Sequence, residues 1–319
     1  MKKLNTVFAA MTLAVVGTAN AAQITSWNYI NEAGFTDFTQ TLGGSVTASG
    51  DATPNGLLGV PASTDLTWGE GLTSGDVVIN GGVDGIQSSF QSASPVLGTV
   101  DTNGGLEQGT DLFHNNWVVG TGDGLLIGAS FLDALQLTAT ELDGIPYVGP
   151  ALVIDAPTLG FEISFLETVN GVDYDLSGGF TVDEAVLDDT LICPDGTLNG
   201  TGVNLNGCAD IFAITSGSTD FDIVGGNVEF SGSFILDEYE YTITTVLSGL
   251  QLITDTACVT IGLDEGCIGF LTTEEMSNQL VAEFRIDSEL VPVEVSAPAS
   301  IALLGLGLIG LGGLARRKK

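Results

Sequence analysis

Lysine is absent from the body of this 319-residue chain, and arginine nearly so. Of seven Lys and Arg residues, Lys2, Lys3, Arg316, Arg317, Lys318 and Lys319 sit at the two ends, and Arg285 alone lies between them. One histidine, His114, completes the set of nitrogen bases. All 40 acidic residues fall between the two basic ends, so 40 acids face one base and the formal charge there is −39. Nucleic-acid binding needs basic surface facing phosphate and is excluded. Adhesion to an anionic membrane surface is excluded for the same reason. Self-repulsion on this scale requires counter-ions, supplied either by a salt-rich habitat or by bound divalent cations such as Ca²⁺.

The same scarcity limits catalysis. A Ser-His-Asp triad would have to use His114, and no G-x-S-x-G elbow occurs. The glycine-rich run Gly120–Gly128 lacks the Lys-[Ser/Thr] and the βαβ setting of a phosphate loop. Paired carboxylates for glycoside hydrolysis stay open as an alternative, because acids are everywhere. The expectation is a non-enzymatic protein without a resident cofactor.

Long apolar runs are confined to the termini. Met1–Ala21 has Lys2 and Lys3, an apolar core over Val7–Gly17, and Ala19-Asn20-Ala21 as an A-x-A cleavage site. It reads as a signal peptide, which directs the chain to the Sec translocon and signal peptidase. At the other end, Ile301–Ala315 is uninterruptedly apolar, about 22 Å of helix, or about 28 Å counted from Ala297. That approaches the ~30 Å hydrocarbon core, and Arg316 and Arg317 begin a basic cluster that stays in the cytoplasm. A buried core helix would need a polar face, and this stretch has none. The expected organisation is a signal peptide (1–21), an acidic ectodomain (22–288), a linker (289–296) and a C-terminal transmembrane helix (297–319). Pro292 in the linker and Pro298 just past it stop a strand from running into the membrane.

The ectodomain is rich in Gly, Thr, Ser, Asp, Val, Ile and Phe, with little helical periodicity. Phe161, Ile163 and Phe165 alternate with Glu162 and Ser164. Ala282, Phe284 and Ile286 alternate with Glu283, Arg285 and Asp287, and Tyr239, Tyr241, Ile243 and Thr245 alternate with Glu238, Glu240, Thr242 and Thr244. Period-2 alternation marks half-buried antiparallel strands. Turn signals such as Asn103-Gly104-Gly105, Asp143-Gly144 and Asp195-Gly196 punctuate them. The pattern predicts an all-β fold, one large antiparallel β-sandwich or jelly-roll-like domain.

Four cysteines suit an oxidising compartment and allow three connectivities. Local pairing, Cys193 with Cys208 and Cys258 with Cys267, is expected; zinc is disfavoured because neither spacing has the tight C-x₂₋₄-C knuckle. His114, Asn115 and Asn116 form a polar cluster at the entry to an apolar strand. Alternate positions share a face, so His114 and Asn116 point the same way and either form a buried network or present ligand donors. A lone histidine by itself gives poor grounds for a transition-metal site. For Ca²⁺, Asp173 and Asp175 in one Asx-rich loop and Asp195 and Asp210 around another are weak candidates. Neither loop has the EF-hand pattern, and turns use the same residues.

The C-terminal segment resembles the PEP-CTERM sorting signal of Gram-negative bacteria, a proline motif followed by an apolar helix and a basic end. Ala297-Pro298-Ala299 stands where that signal has Pro-Glu-Pro. The ectodomain resembles the THxN family of PEP-CTERM proteins. The matching stretches are His114-Asn115-Asn116 (with Phe113 in place of Thr), Phe165–Asn170, Cys208–Phe212, Cys267–Glu274 and Phe284-Arg285-Ile286. The resemblance implies export, retention in the inner membrane facing the periplasm and processing by an exosortase, with permanent anchoring as the alternative. It further implies an association with extracellular polysaccharide and biofilm. The sequence thus describes an exported, non-enzymatic cell-surface or matrix protein. A Ca²⁺-dependent carbohydrate-binding module is the first alternative and a glycan-processing enzyme the second.

Overall fold

The structure, a computed structural model, describes residues 22–41, 46–69, 87–117, 119, 124–168, 172–174, 180–182, 192–205, 207–217 and 221–291. Both terminal segments expected to act as signals, most of the expected linker, and Asp175 lie outside these residues. Among the described residues no helix is long and apolar enough to cross a membrane.

In chain order the strands begin with β1 (Ile24–Gln40), β2 (Thr47–Ser49), β3 (Asp65–Trp68), β4 (Ser88–Ser92), β5 (Val96–Asp101), β6 (Glu107–Gln108) and β7 (Leu112–Asn116). Next come β8 (Leu126–Leu142), β9 (Ile145–Pro146), β10 (Val153–Asp155), β11 (Leu159–Leu166), β12 (Val172–Tyr174), β13 (Phe180–Val182) and β14 (Asp210–Gly217). The chain finishes with β15 (Phe221–Val224), β16 (Asn227–Leu236), β17 (Tyr239–Ser248), β18 (Gln251–Leu252), the short helix α1 (Asp255–Thr260), β19 (Ile268–Thr272) and β20 (Met276–Leu290).

Two antiparallel sheets face each other. The first runs β18-β19-β14-β11-β8-β1-β5, and the second β15-β16-β17-β20-β7-β4-β3-β2. The alternation read from sequence is the cause: Phe161, Ile163 and Phe165 are buried on β11, and Ala282, Phe284 and Ile286 on β20. On β17 Tyr241 and Ile243 are buried as expected, but Tyr239 and Thr245 are only half-buried and Thr244, expected outward, is buried along with Val246 and Leu247. Glu238, however, belongs to the turn before the strand, where Asp237 has φ 53° and Leu236 faces Tyr239 across a two-residue connection. Between β8 and β9, Asp143 and Gly144 take φ 48° and 75°, the left-handed pair a tight hairpin requires.

Two apolar clusters hold the sheets together. One gathers Phe90, Phe131, Phe161, Phe165, Phe212 and Phe230 with aliphatic neighbours. The other gathers Trp27, Tyr29, Leu137, Tyr241, Phe284 and Ile286. The helix α1 covers the outer face of the first sheet, where Ala257 and Cys258 pack on Ile211 and Ala213. Both disulfides are the local ones, Cys193–Cys208 and Cys258–Cys267. Strand β20 reaches Leu290, which pairs with Tyr239, so the sheet runs two residues into the segment expected to be a linker.

Candidate functional site

Three neighbouring strands of the first sheet end at the same place. Glu167 and Thr168 follow β11, Asp210 opens β14, and Thr272 closes β19 directly opposite Asp210. Glu274 stands in the turn that carries the chain across to β20. Facing them from the second sheet are His114 and Asn116 on β7, Ser88 on β4 and Trp68 on β3. All of these side chains are buried, and His114, Asp210, Thr272 and Glu274 are 0 % exposed.

The alternation on β7 explains which polar residues enter. Leu112, His114 and Asn116 are buried, while Phe113 and Asn115 turn to the other face. Asn115 there donates to Ser89 Oγ and Gln91 Oε1, both at 3.0 Å. The expected pairing of His114 with Asn116 is therefore present, and Asn115 stands apart from it.

Each inward group is held by its outer atom. His114 Nδ1 lies 3.0 Å from Thr272 Oγ1, whose hydroxyl reaches the Asp210 carbonyl at 3.5 Å. In the tautomer with the proton on Nδ1, His114 donates to Thr272 Oγ1 while that hydroxyl donates to the Asp210 carbonyl, and Nε2 is left as a lone pair. Trp68 Nε1 donates to Glu167 Oε2 at 2.6 Å. The Thr168 backbone N–H donates to Asp210 Oδ1 at 2.6 Å, and the Thr168 hydroxyl touches the Cys208 carbonyl beside the disulfide. That hydroxyl also sits 3.2 Å from Glu274 Oε1. Asn116 donates to the Thr272 carbonyl at 3.0 Å.

Aromatic rings seal the site. Trp68 stacks on the His114 imidazole at 5.7 Å, with Phe90 at 4.7 Å and Phe165 edge-on at 5.1 Å. This buried setting moves the titrations. Burial lowers the His114 pKa to about 3, so the ring is neutral. Glu167 is raised well above the usual carboxylate range, first by burial and then by the charge of Glu274. Asp210 is raised likewise by burial, then by Glu167 and Glu274, against hydrogen bonds from Thr168 that favour its charged form. The Glu167 and Asp210 carboxyls are close enough to share a proton.

The remaining sequence candidates have other settings. Asp195 accepts from Thr197 N at 3.0 Å, from Thr197 Oγ1 at 2.7 Å and from Asn204 Nδ2, so both its oxygens tie its own loop together. Asp173 lies on β12, and Asp210 belongs to the buried cluster. Sequence reading missed Glu167, Thr168, Thr272, Glu274, Trp68 and Ser88 as members of one site. A signal was present for Glu167, which occupies the inward phase after Phe161, Ile163 and Phe165.

Open space lies elsewhere. A crevice between the sheets beside Asn31, Asp133 and Phe284 encloses about 40 Å³, room for a few waters. Shallow hollows of about 420 and 440 Å³ open around Asp51 and around Asp264. None of the three is lined by His114, Glu167 or Asp210. No protein-family model matches the chain, and no curated protein matches it.

Proposed function

We propose that this chain is an exported, non-enzymatic cell-surface or extracellular-matrix protein, delivered by its signal peptide and sorted through Ala297–Lys319. The observation that carries the non-enzymatic reading is the burial of the chain's only imidazole: His114 is 0 % exposed and walled by Trp68, Phe90 and Phe165. A general acid or base has to reach its substrate within hydrogen-bonding distance, and this one faces protein on every side. The two disulfides suit an oxidising compartment, and the one-signed charge suits a soluble surface layer that repels its neighbours.

The resemblance to the THxN family of PEP-CTERM proteins gains support from the same place. His114 and Asn116, Glu167 and Thr168, Asp210, and Thr272 with Glu274 come from separate matching stretches, and all meet in one cluster. Such a set acts as a structural signature that holds the two sheets in register. The sorting signal then gives the chain its address, with an exosortase as processing partner and matrix polysaccharide as surroundings.

The test is fractionation of the native host followed by intact-mass measurement. The expected result is a chain beginning near Ala22, in the envelope or matrix fraction, that leaves matrix polysaccharide uncleaved on incubation. A cytosolic chain that keeps Met1, or shortened polysaccharide products, would overturn the proposal.

A further inference from the structure

Two acceptors point at each other inside the cluster. His114 Nε2 and Asp210 Oδ2 are 3.7 Å apart, and apart from a proton shared between Asp210 and Glu167 no donor among the described residues reaches either atom. That separation is too long for a hydrogen bond. With the imidazole proton on Nδ1, a lone pair faces a carboxyl oxygen, both residues being 0 % exposed. Glu167 completes a triangle: one ligand-capable atom from each of His114, Glu167 and Asp210 lies within 4.8 Å of the others.

The interior offers no cation of its own to relieve this arrangement. Arg285, the one Lys or Arg between the terminal segments, is held 3.2 Å from both Glu229 and Asp287. We infer that His114 Nε2, Asp210 Oδ2 and a Glu167 carboxylate oxygen form a binding site for one divalent transition-metal ion of the Zn²⁺ class, which bolts the two sheets together.

Three further features fit that assignment. Zinc bonds of about 2.0–2.2 Å in a tetrahedral arrangement place neighbouring ligand atoms roughly 3.3–3.6 Å apart, and the Nε2–Oδ2 separation of 3.7 Å is within about 0.1 Å of the upper end. Each ligand residue is also held from outside: Thr272 meets His114 Nδ1, the Thr168 N–H holds Asp210 Oδ1, and Trp68 and Ser88 hold the two Glu167 oxygens. Outer partners of this kind orient metal ligands and set the histidine tautomer. An imidazole among the ligands also selects against Ca²⁺ and Mg²⁺, which take oxygen. His114 belongs to the second sheet and the two acids to the first, so the ion would be a cross-link between layers. Glu274 adds negative charge nearby.

The full chain, exported and purified without added metal, should carry close to one equivalent of zinc or a neighbouring transition metal by elemental mass spectrometry. Stripping with a chelator should lower its Tm, and Zn²⁺ but not Ca²⁺ should restore it. Co²⁺ replacement should give the visible bands of a tetrahedral N/O site. His114→Gln should abolish that spectrum, and Thr272→Val, which loses only the outer partner, should weaken metal affinity about 10- to 100-fold. If His114→Gln fails to fold, the wild-type metal content and Co²⁺ spectrum decide alone. Wild-type protein with no retained metal, no Co²⁺ bands and no Zn²⁺-dependent Tm would overturn the inference and leave shared protons as the cluster's neutralising charge. A bound metal whose spectrum survives His114→Gln would overturn it equally.

Discussion

The two sheets are joined at two places by opposite means. Around Trp27 the contact is aromatic: Tyr241 meets it edge-on at 5.5 Å, Phe234 at 6.2 Å, and Tyr29 meets Phe284 at 4.9 Å. Even there the polar tips find partners. Trp27 Nε1 donates to Thr102 Oγ1 at 3.0 Å, and the Tyr241 hydroxyl accepts from the Ile24 N–H at 2.8 Å. Around His114 the rings instead enclose a polar kernel of one imidazole and three carboxyl groups. The first contact is non-directional, and its strength follows buried area. The second tolerates little error, because each group left without a partner in the dry interior costs more than a well-made bond returns. An apolar joint holds layers together, whereas a polar joint also dictates how they are aligned.

Substitutions can separate the two joints. Trp27→Ala should have the largest effect, a loss of about 3–5 kcal/mol in urea unfolding. That loss should be the same with and without chelator, since nothing ionic is removed. Replacing Cys193 and Cys208 together by Ser should cost about 3 kcal/mol on the chain-entropy account of a 15-residue loop. It should also disturb the polar joint, because the Cys208 carbonyl is a partner of Thr168; spectra of Co²⁺-loaded protein would register this. Trp68→Phe keeps most of the packing and deletes the donor to Glu167, so a loss of about 1–3 kcal/mol is expected. A loss much smaller than this would mean that the indole acts as ring alone.

A pH scan sharpens the contrast further. Asp133, near the crevice between the joints, accepts from Asn31 at 2.5 Å, yet burial pushes its carboxyl up to about 6. The unfolded chain titrates this group near ~3.9, so the folded state holds the proton more tightly. Its stabilising contribution is complete below about pH 4 and is lost as pH rises through about 6. Asp133→Asn should flatten that part of the stability curve in urea titrations. The raised carboxyls of Glu167 and Asp210 have the same sign, so metal-free protein should weaken further on the alkaline side in this variant too. The smallest effect belongs to Asn115→Ala, within about 0.5 kcal/mol, because that side chain faces away from the kernel.

The strands were readable because their cause is local. Phe161, Ile163 and Phe165 announce an inward face within five residues, and Asp143-Gly144 announces its hairpin within two. The disulfides were readable because each pair is close in sequence. The polar joint was not, since its members meet only after folding: His114 and Thr272 are 158 positions apart. Taken singly, Glu167 and Asp210 look like any of 40 acids in a chain saturated with them. Only the phase of Glu167 set it apart. The histidine was noticed for its rarity, and its partners could be found only in three dimensions.

Strand β20 pairs with β17 on one flank over Val281–Leu290 and, on the other, with β7 over Met276–Leu280 and with β6 at Glu283 and Phe284. The chain leaves the described fold from this interior strand, directly toward the segment expected to reach the membrane. Tension applied through that tail would therefore run along β20, loading its continuous ladder to β17 first and the shorter pairings to β6 and β7 farther from the tail. The same traction would compress the sheets onto the His114 joint only weakly, since its rungs to β7 lie at the far end of β20, at Met276–Leu280.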